Sequence, residues 1–188
     1  MAMSGVESWS LGTLKHADRG VHEEFVHALY GPLFRWLHWL CGDREEAADL
    51  TQQTFVGCWE SLARADPSLK AKVWLFAIGR NTWRNALRSR LRDRSVSNDG
   101  MRTEVVDSRT DSALEAAMTA ECANALRHAV ADLPEDVREA VSLRYWADLS
   151  YADIAATLSI TPELARQRTF VGRNQLRGVL KAWAPNTC

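Results

Sequence analysis

The chain has 188 residues, with 23 Lys and Arg against 24 Asp and Glu, for a formal net charge of −1. It is 46% hydrophobic with only 10 Gly and 5 Pro, which excludes a disordered, collagen-like or low-complexity chain. The length suits one ordinary domain or two small ones. A charge near zero argues against nucleic-acid binding only if the charge is evenly spread.

The first twenty residues hold no basic stretch followed by an apolar core, so no signal peptide is expected. Val21, Phe25, Leu29, Leu33, Trp36, Leu37 and Leu40 then recur at helical spacing. Gly31-Pro32 interrupts this stripe and is expected to kink or split the helix. Cys41-Gly42 ends it, and Asp43 with Glu46 three residues on reads as the cap of a second helix carrying Leu50, Phe55, Cys58, Trp59 and Leu62. After a loop at Ala65-Asp66-Pro67-Ser68, a third helix is predicted from about Lys70 to Arg92, with Val73, Trp74, Leu75, Ile78, Trp83 and Leu87 as its apolar positions.

Ser95 to Gly100 is a cluster of helix breakers, and the polar stretch continues to about Asp111. It reads as a flexible linker, 95–112, between modules 1–94 and 113–188. Helical pattern resumes at Ala113. Pro134 fits the first turn of a helix with Val137, Val141, Leu143 and Tyr145 inside it. Ser150 caps a short helix, Tyr151 to Leu158. After the turn Ser159-Ile160-Thr161, Thr161 caps a long helix that has Pro162 in its first turn and runs to about Trp183. No run of strand-like alternation is present, so the fold class is all-α: two small helical domains joined by a flexible linker.

The charge is uneven. Residues 80–94 hold six arginines, at 80, 84, 88, 90, 92 and 94, against one acid, Asp93. From Arg166 to Cys188 there are four arginines, one lysine and no acid, whereas residues 1–50 carry eight acids against four bases. Arg80, Arg84 and Arg88 are four apart and share one helix face. A single basic run is compatible with a solvated face; two, one closing each module, fit a bipartite phosphate-contacting surface. The order short helix, tight turn, basic helix is that of a helix-turn-helix, whose second helix enters the major groove. Trp74, Phe76 and Trp83 lie among Arg80, Asn81, Arg84 and Asn85. That mixture suits unstacked bases, though for Trp74 and for Trp83 a place in the core is the stronger reading.

Four cysteines, Cys41, Cys58, Cys122 and Cys188, form no CxxC pair, and the spacings match no zinc module. His38 and Cys41 are three apart without further ligands at metal spacing, so no metal or other cofactor is expected. No phosphate loop, HExxH or GxSxG run is present, so no catalytic residue is assigned and the chain is read as a non-enzyme. The longest run without a charged residue is too short to cross a membrane. The cytoplasm is the expected compartment.

Three stretches carry a resemblance. The first is Gly42-Asp43, Ala47-Ala48-Asp49-Leu50, Gln52, Thr54-Phe55 and Trp59. The second is Trp74-Leu75-Phe76, Ile78, Arg80-Asn81 and Leu87-Arg88; together they resemble the second domain of bacterial sigma factors. Leu133-Pro134, Arg138, Leu143-Arg144-Tyr145, Leu149-Ser150-Tyr151, Asp153-Ile154-Ala155, Leu158 and Ile160-Thr161 resemble the fourth. With these two domains alone, the chain resembles an extracytoplasmic-function (ECF) sigma factor. The resemblance implies a subunit that binds core RNA polymerase at the β′ clamp helices and β flap and directs it to promoters. Asp49, Leu50, Gln52, Gln53 and Phe55 match the segment that docks on the clamp helices. The loop 65–72 and the start of the next helix match the part that captures a flipped base. Trp74, Arg80, Asn81, Arg84, Asn85 and Arg88 match the −10 DNA surface. Thr161, Glu163, Leu164, Arg166, Gln167, Arg168 and Arg173 match the helix that reads the −35 element.

The sequence departs from the family pattern at Gln53, commonly Glu, at Asn85, commonly Asp, and at Glu163-Leu164-Ala165, where a Gly-Thr-Val-like run is usual. An early carboxylate such as Glu163 suits the helix dipole and can accept from a cytosine amino group. An anti-sigma factor is a further implied partner. The free chain is expected to bind promoters poorly, its linker letting the modules sample many separations. The alternatives are a stand-alone helix-turn-helix regulator and an all-helical interaction protein.

Overall fold

The computed structural model describes residues 9–96 and 125–183, and within them every regular element is a helix. The predicted linker beyond Val96, the expected resumption at Ala113, and Cys122 and Cys188 lie outside the described residues.

The first module contains α1 (Leu11–Lys15), α2 (Arg19–Cys41), α3 (Arg44–Leu62) and α4 (Ala71–Val96). The short α1, absent from the sequence reading, is capped by Ser10 and buries Leu11 and Leu14 completely. Leu11 N–H donates to Leu69 O at 2.8 Å and Ala71 N–H to Trp9 O at 2.8 Å, which pins this segment to the start of α4. Lys15 Nζ donates to Ala63 O and Ala65 O just past α3, where terminal carbonyls lack helical partners.

The predicted cap at Asp43 and helix end at Gly42 hold: Asp43 accepts from Glu46 N–H, and Gly42 closes α2 with φ 76° in the left-handed region. Asp18, which the sequence reading did not single out, caps the start of α2 by accepting from Val21 N–H. Of the expected kink or split at Gly31-Pro32, the split does not occur: α2 runs unbroken through Pro32. Burial of Leu29, Leu33, Trp36 and Leu37 on both sides of Pro32 outweighs an interior-proline cost of about 3 kcal/mol. Phe25, Leu33, Trp36 and Leu37 meet Leu50, Phe55 and Cys58 of α3 and Leu75, Phe76 and Trp83 of α4 in one core. Gly79 lets α4 come close, since a Cβ there would stand 3.1 Å from Leu33 and 3.2 Å from Trp36.

The second module comprises α5 (described over 125–131), α6 (Glu135–Tyr145), α7 (Tyr151–Leu158) and α8 (Pro162–Trp183). Pro134 is the N-cap residue of α6 rather than part of its first turn. Ser150 caps α7 through Asp153 N–H, and Ser159 ends it in the left-handed region at φ 57°. Thr161 Oγ1 accepts from Leu164 N–H at 3.2 Å and starts α8. The helix α8 crosses α6 so closely at Gly172 that a Cβ would fall 2.3 Å from Val141 and 2.8 Å from Val137.

The modules do not stand apart. The helix α4 packs on α7 and α2 on α6, and Ala140, Leu143, Leu149 and Ile154 belong to the same buried cluster as Trp36 and Phe76. This corrects the expectation that the modules sample many separations. The physical reason is that α6 and α7 are apolar on two faces, one turned to α8 and the other to the first module.

Candidate nucleic-acid interface

Three surfaces gather the sequence-predicted residues. On α3, Asp49, Gln52 and Gln53 are exposed, while Leu50 and Phe55 are buried in the core. Asp49, Gln52, Gln53, Val56, Gly57 and Glu60 line a shallow groove of about 340 Å³ along the outer face of this helix. Val56, 55% exposed, is the large apolar side chain of that face and was missed. Its signal was the spacing from Gln52 and Gln53. Thr51 and Thr54 are fully buried, their hydroxyls donating to Ala47 O and Leu50 O at 2.6 Å. The face is thus acidic and amide-rich with one apolar centre, suited to a protein surface rather than to phosphate.

On α4 the predicted −10 residues divide. Asn81, Asn85 and Arg88 are exposed and Trp74 is half-buried. Phe76 and Trp83 are core, so the aromatic half of the expected base-stacking surface is reduced to Trp74. Arg80 and Arg84 turn toward α6. Arg80 Nη2 lies 3.0 Å from Glu139 Oε2, Arg84 Nε 2.8 Å from Glu139 Oε1, and Arg84 Nη2 2.6 Å from Glu135 Oε1. Glu139 is only 2% exposed, and a carboxylate so buried requires the two guanidinium groups. Farther along, Arg90 pairs with Glu46 of α3.

On α8 the turn geometry is that of a helix-turn-helix. Ile160 N–H donates to Ala155 O at 3.0 Å, and Ala155 and Ala165 are buried where α7 and α8 meet. Glu163, Arg166, Gln167, Phe170 and Arg173 form one exposed stripe. Thr161 is exposed and Leu164 half-buried. Arg168, also predicted to touch DNA, instead pairs with Asp136 of α6 at 3.1 Å. Phe170, 53% exposed and lying under the Arg173 guanidinium at 5.3 Å, was missed. Its spacing from Glu163, Arg166 and Gln167 was visible in the sequence.

A further cleft of about 780 Å³ lies between α2 and α3, lined by His22, Val26, Tyr30 and Trp59 among others. It holds none of the predicted residues. Among the described residues no group of three His, Cys, Asp or Glu is arranged to hold a metal. His38 stacks on Phe34, and burial, with Arg127 and Arg44 nearby, holds its pKa below the ordinary value. Burial pushes the Cys41 thiol up and the Cys58 thiol up to about 12. No described helix is long and apolar enough to cross a membrane.

Comparison with known proteins gives two family matches: Sigma-70 region 2 over residues 25–93 and Sigma-70, region 4 over residues 123–176. The chain is 30% identical to the RNA polymerase sigma-H factor of Pseudomonas aeruginosa over 84% of this chain and 83% of that one. It is 31% identical to the ECF RNA polymerase sigma factor SigC of Mycobacterium tuberculosis over 91% and 89%. The sigma factor RpoE of Bartonella quintana, solved in complex with the anti-sigma factor NepR, shares the fold, with a TM-score of 0.70, 24% identity, and coverage of 86% of this chain and 97% of that one.

Proposed function

Because the chain belongs to the ECF family of RNA polymerase sigma factors, we propose the following division of labour. The first module, residues 1–94, docks on the β′ clamp helices of core polymerase and engages the −10 element. The second, residues 113–188, engages the β flap and reads the −35 element, and residues 95–112 join them. Docking uses the α3 groove: Asp49, Gln52 and Gln53 make the polar contacts, Val56 supplies the apolar centre, and Leu50 and Phe55 hold the helix from behind. Trp74, Arg80, Asn81, Arg84, Asn85 and Arg88 form the −10 surface. On α8, Thr161 and Leu164 set the start of the recognition helix, and Glu163, Arg166, Gln167, Phe170 and Arg173 face the major groove. Arg168 braces α8 against α6 through Asp136.

The observation that carries the reading is the exposed stripe of α8, presented by a capped helix-turn-helix on the same chain as the open α3 groove. The protein acts without catalysis of its own, in the cytoplasm where polymerase and chromosome are, and an anti-sigma factor is a further partner. Melting at the −10 element couples polymerase docking to capture of an extruded base by the loop 65–72, which offsets an unstacking cost of a few kcal/mol. A stand-alone helix-turn-helix regulator has no use for the α3 groove. Gel filtration of the chain with bacterial core polymerase tests the docking. A stoichiometric complex that Asp49→Ala weakens, with helix content unchanged, is expected; failure to bind core overturns the reading.

A further inference from the structure

The two sides of α8 do different work. Ala165, Thr169 and Leu176 are buried on the packed side, where Gly172 lies against Val141 and Val137 of α6. Phe170 is on the other side, 53% exposed, and takes no part in either buried cluster. A lone exposed apolar residue is ordinary on most surfaces. The neighbours of this one make it informative. Glu163, Arg166, Gln167 and Arg173 share its face at helical spacing and are all exposed. The Arg173 guanidinium stands over the ring, 5.3 Å from its centroid.

The packing of the fold therefore does not account for Phe170. The side chains around it seek hydrogen-bonding or charged ligands, so the ring calls for an apolar partner set among polar ones. The major groove offers such a partner: base edges there present donors, acceptors and one apolar group, the C5 methyl of thymine. We propose that Phe170 is a specificity-determining residue that reads a thymine methyl inside the −35 element. The inference rests on the assignment of the exposed α8 stripe to −35 DNA made above.

Arg173 serves this contact in two ways. A guanidinium over one face of an aromatic ring is held there by the ring quadrupole. It restrains the ring before DNA arrives and leaves the other face and the edge to meet the groove. It also sets a positive charge beside the ring, suited to a phosphate next to the thymine. The position of the thymine follows from helix geometry. Phe170 is four residues beyond Arg166, a rise of about 6 Å along α8. With the helix lying along the groove, that rise is about two base-pair steps of ~3.4 Å. The thymine is expected about that far from the pair that Arg166 reads.

Replacing thymine by uracil removes the methyl and leaves every hydrogen-bonding group in place, which gives a direct test. A promoter from which polymerase carrying this chain transcribes is prepared as a duplex library with its −35 region randomised, once with thymidine and once with deoxyuridine. Polymerase assembled with wild type, Phe170→Ala, Phe170→Leu or Arg166→Ala selects from each library, and the bound duplexes are sequenced. Circular dichroism checks each variant's fold, and gel filtration checks its binding to core. Wild type is expected to enrich thymine at one position, about two pairs from the position whose preference Arg166→Ala erases. Uracil there should lower the enrichment about fourfold, the worth of one buried methyl group. Phe170→Ala should lose the same preference in the thymidine library, show no further loss with deoxyuridine, and keep the preferences at other positions. Phe170→Leu, still apolar, should retain part of it. Equal selection from both libraries by wild type overturns the methyl contact, while preferences at the other −35 positions leave the assignment of α8 standing. A Phe170→Ala variant that keeps the thymine preference, or that loses binding to core instead, overturns the role of Phe170. No preference at any −35 position with wild type means the α8 assignment itself is wrong, and the thymine contact falls with it.

Discussion

At the scale of single residues, exposure sorts the predicted site. Arg166 and Arg168 are two apart in sequence and equal in charge, and spacing alone did not separate them. The structure turns Arg166 to solvent and ties Arg168 to Asp136. Arg166→Ala should weaken binding of polymerase carrying this subunit to its promoter by about 1–3 kcal/mol if the guanidinium makes a bidentate base contact. The loss should depend on the −35 sequence. Arg168→Ala should instead lower the stability of the free chain and leave −35 discrimination intact; competition binding with altered −35 duplexes distinguishes the two. Gly172 gives a second prediction. Its absent Cβ would meet Val141 and Val137 inside contact distance, so Gly172→Ala should destabilise the fold by about 1–3 kcal/mol or more, read as a lower urea midpoint. Nothing in the local sequence marks this glycine, because the clash comes from residues more than thirty positions away. Cys58, buried and with its thiol pushed up to about 12, should stay unreactive toward a disulfide reagent until the protein is unfolded.

At the scale of elements, the helices were legible and their partners were not. Caps are local: Asp43, Ser150 and Thr161 each bond a backbone N–H three residues on, and each was readable as a side-chain oxygen ahead of an apolar repeat. The helix α1 escaped because five residues give no period to detect, and α2 survived Pro32 because tertiary burial overrides local propensity. Asp153 ties local and long-range order together. Burial pushes its carboxyl up, but bonds from Lys70 and Ser150 more than offset this and hold it below the ordinary carboxylate range. A carboxyl depressed by folding contributes stability that is fully present above its unfolded value, near ~3.9, and is lost as pH falls through the lower folded value. Stability of the wild type should therefore fall more steeply from pH 5 to pH 3 than that of Asp153→Asn, as urea midpoints across that range will show.

At the scale of the whole molecule, the net charge of −1 is an average over an acidic start, two arginine-bearing helices and the acids that cover one of them. Two modules could be read from the breaker cluster after Ser95, but not their junction. Trp36 and Ser142 are 106 positions apart, Arg84 and Glu135 51, and Glu139 looks in sequence like any helix acid beside Arg138. A nearly neutral chain has little long-range pull on DNA. The central claim is that this chain gives core polymerase its promoter choice. In vitro transcription from genomic fragments, with purified bacterial core polymerase and with or without the chain, measures it most directly. Transcripts with discrete 5′ ends that appear only when the chain is added, and that Asp49→Ala reduces, are the expected result; transcripts indistinguishable from core polymerase alone would contradict it.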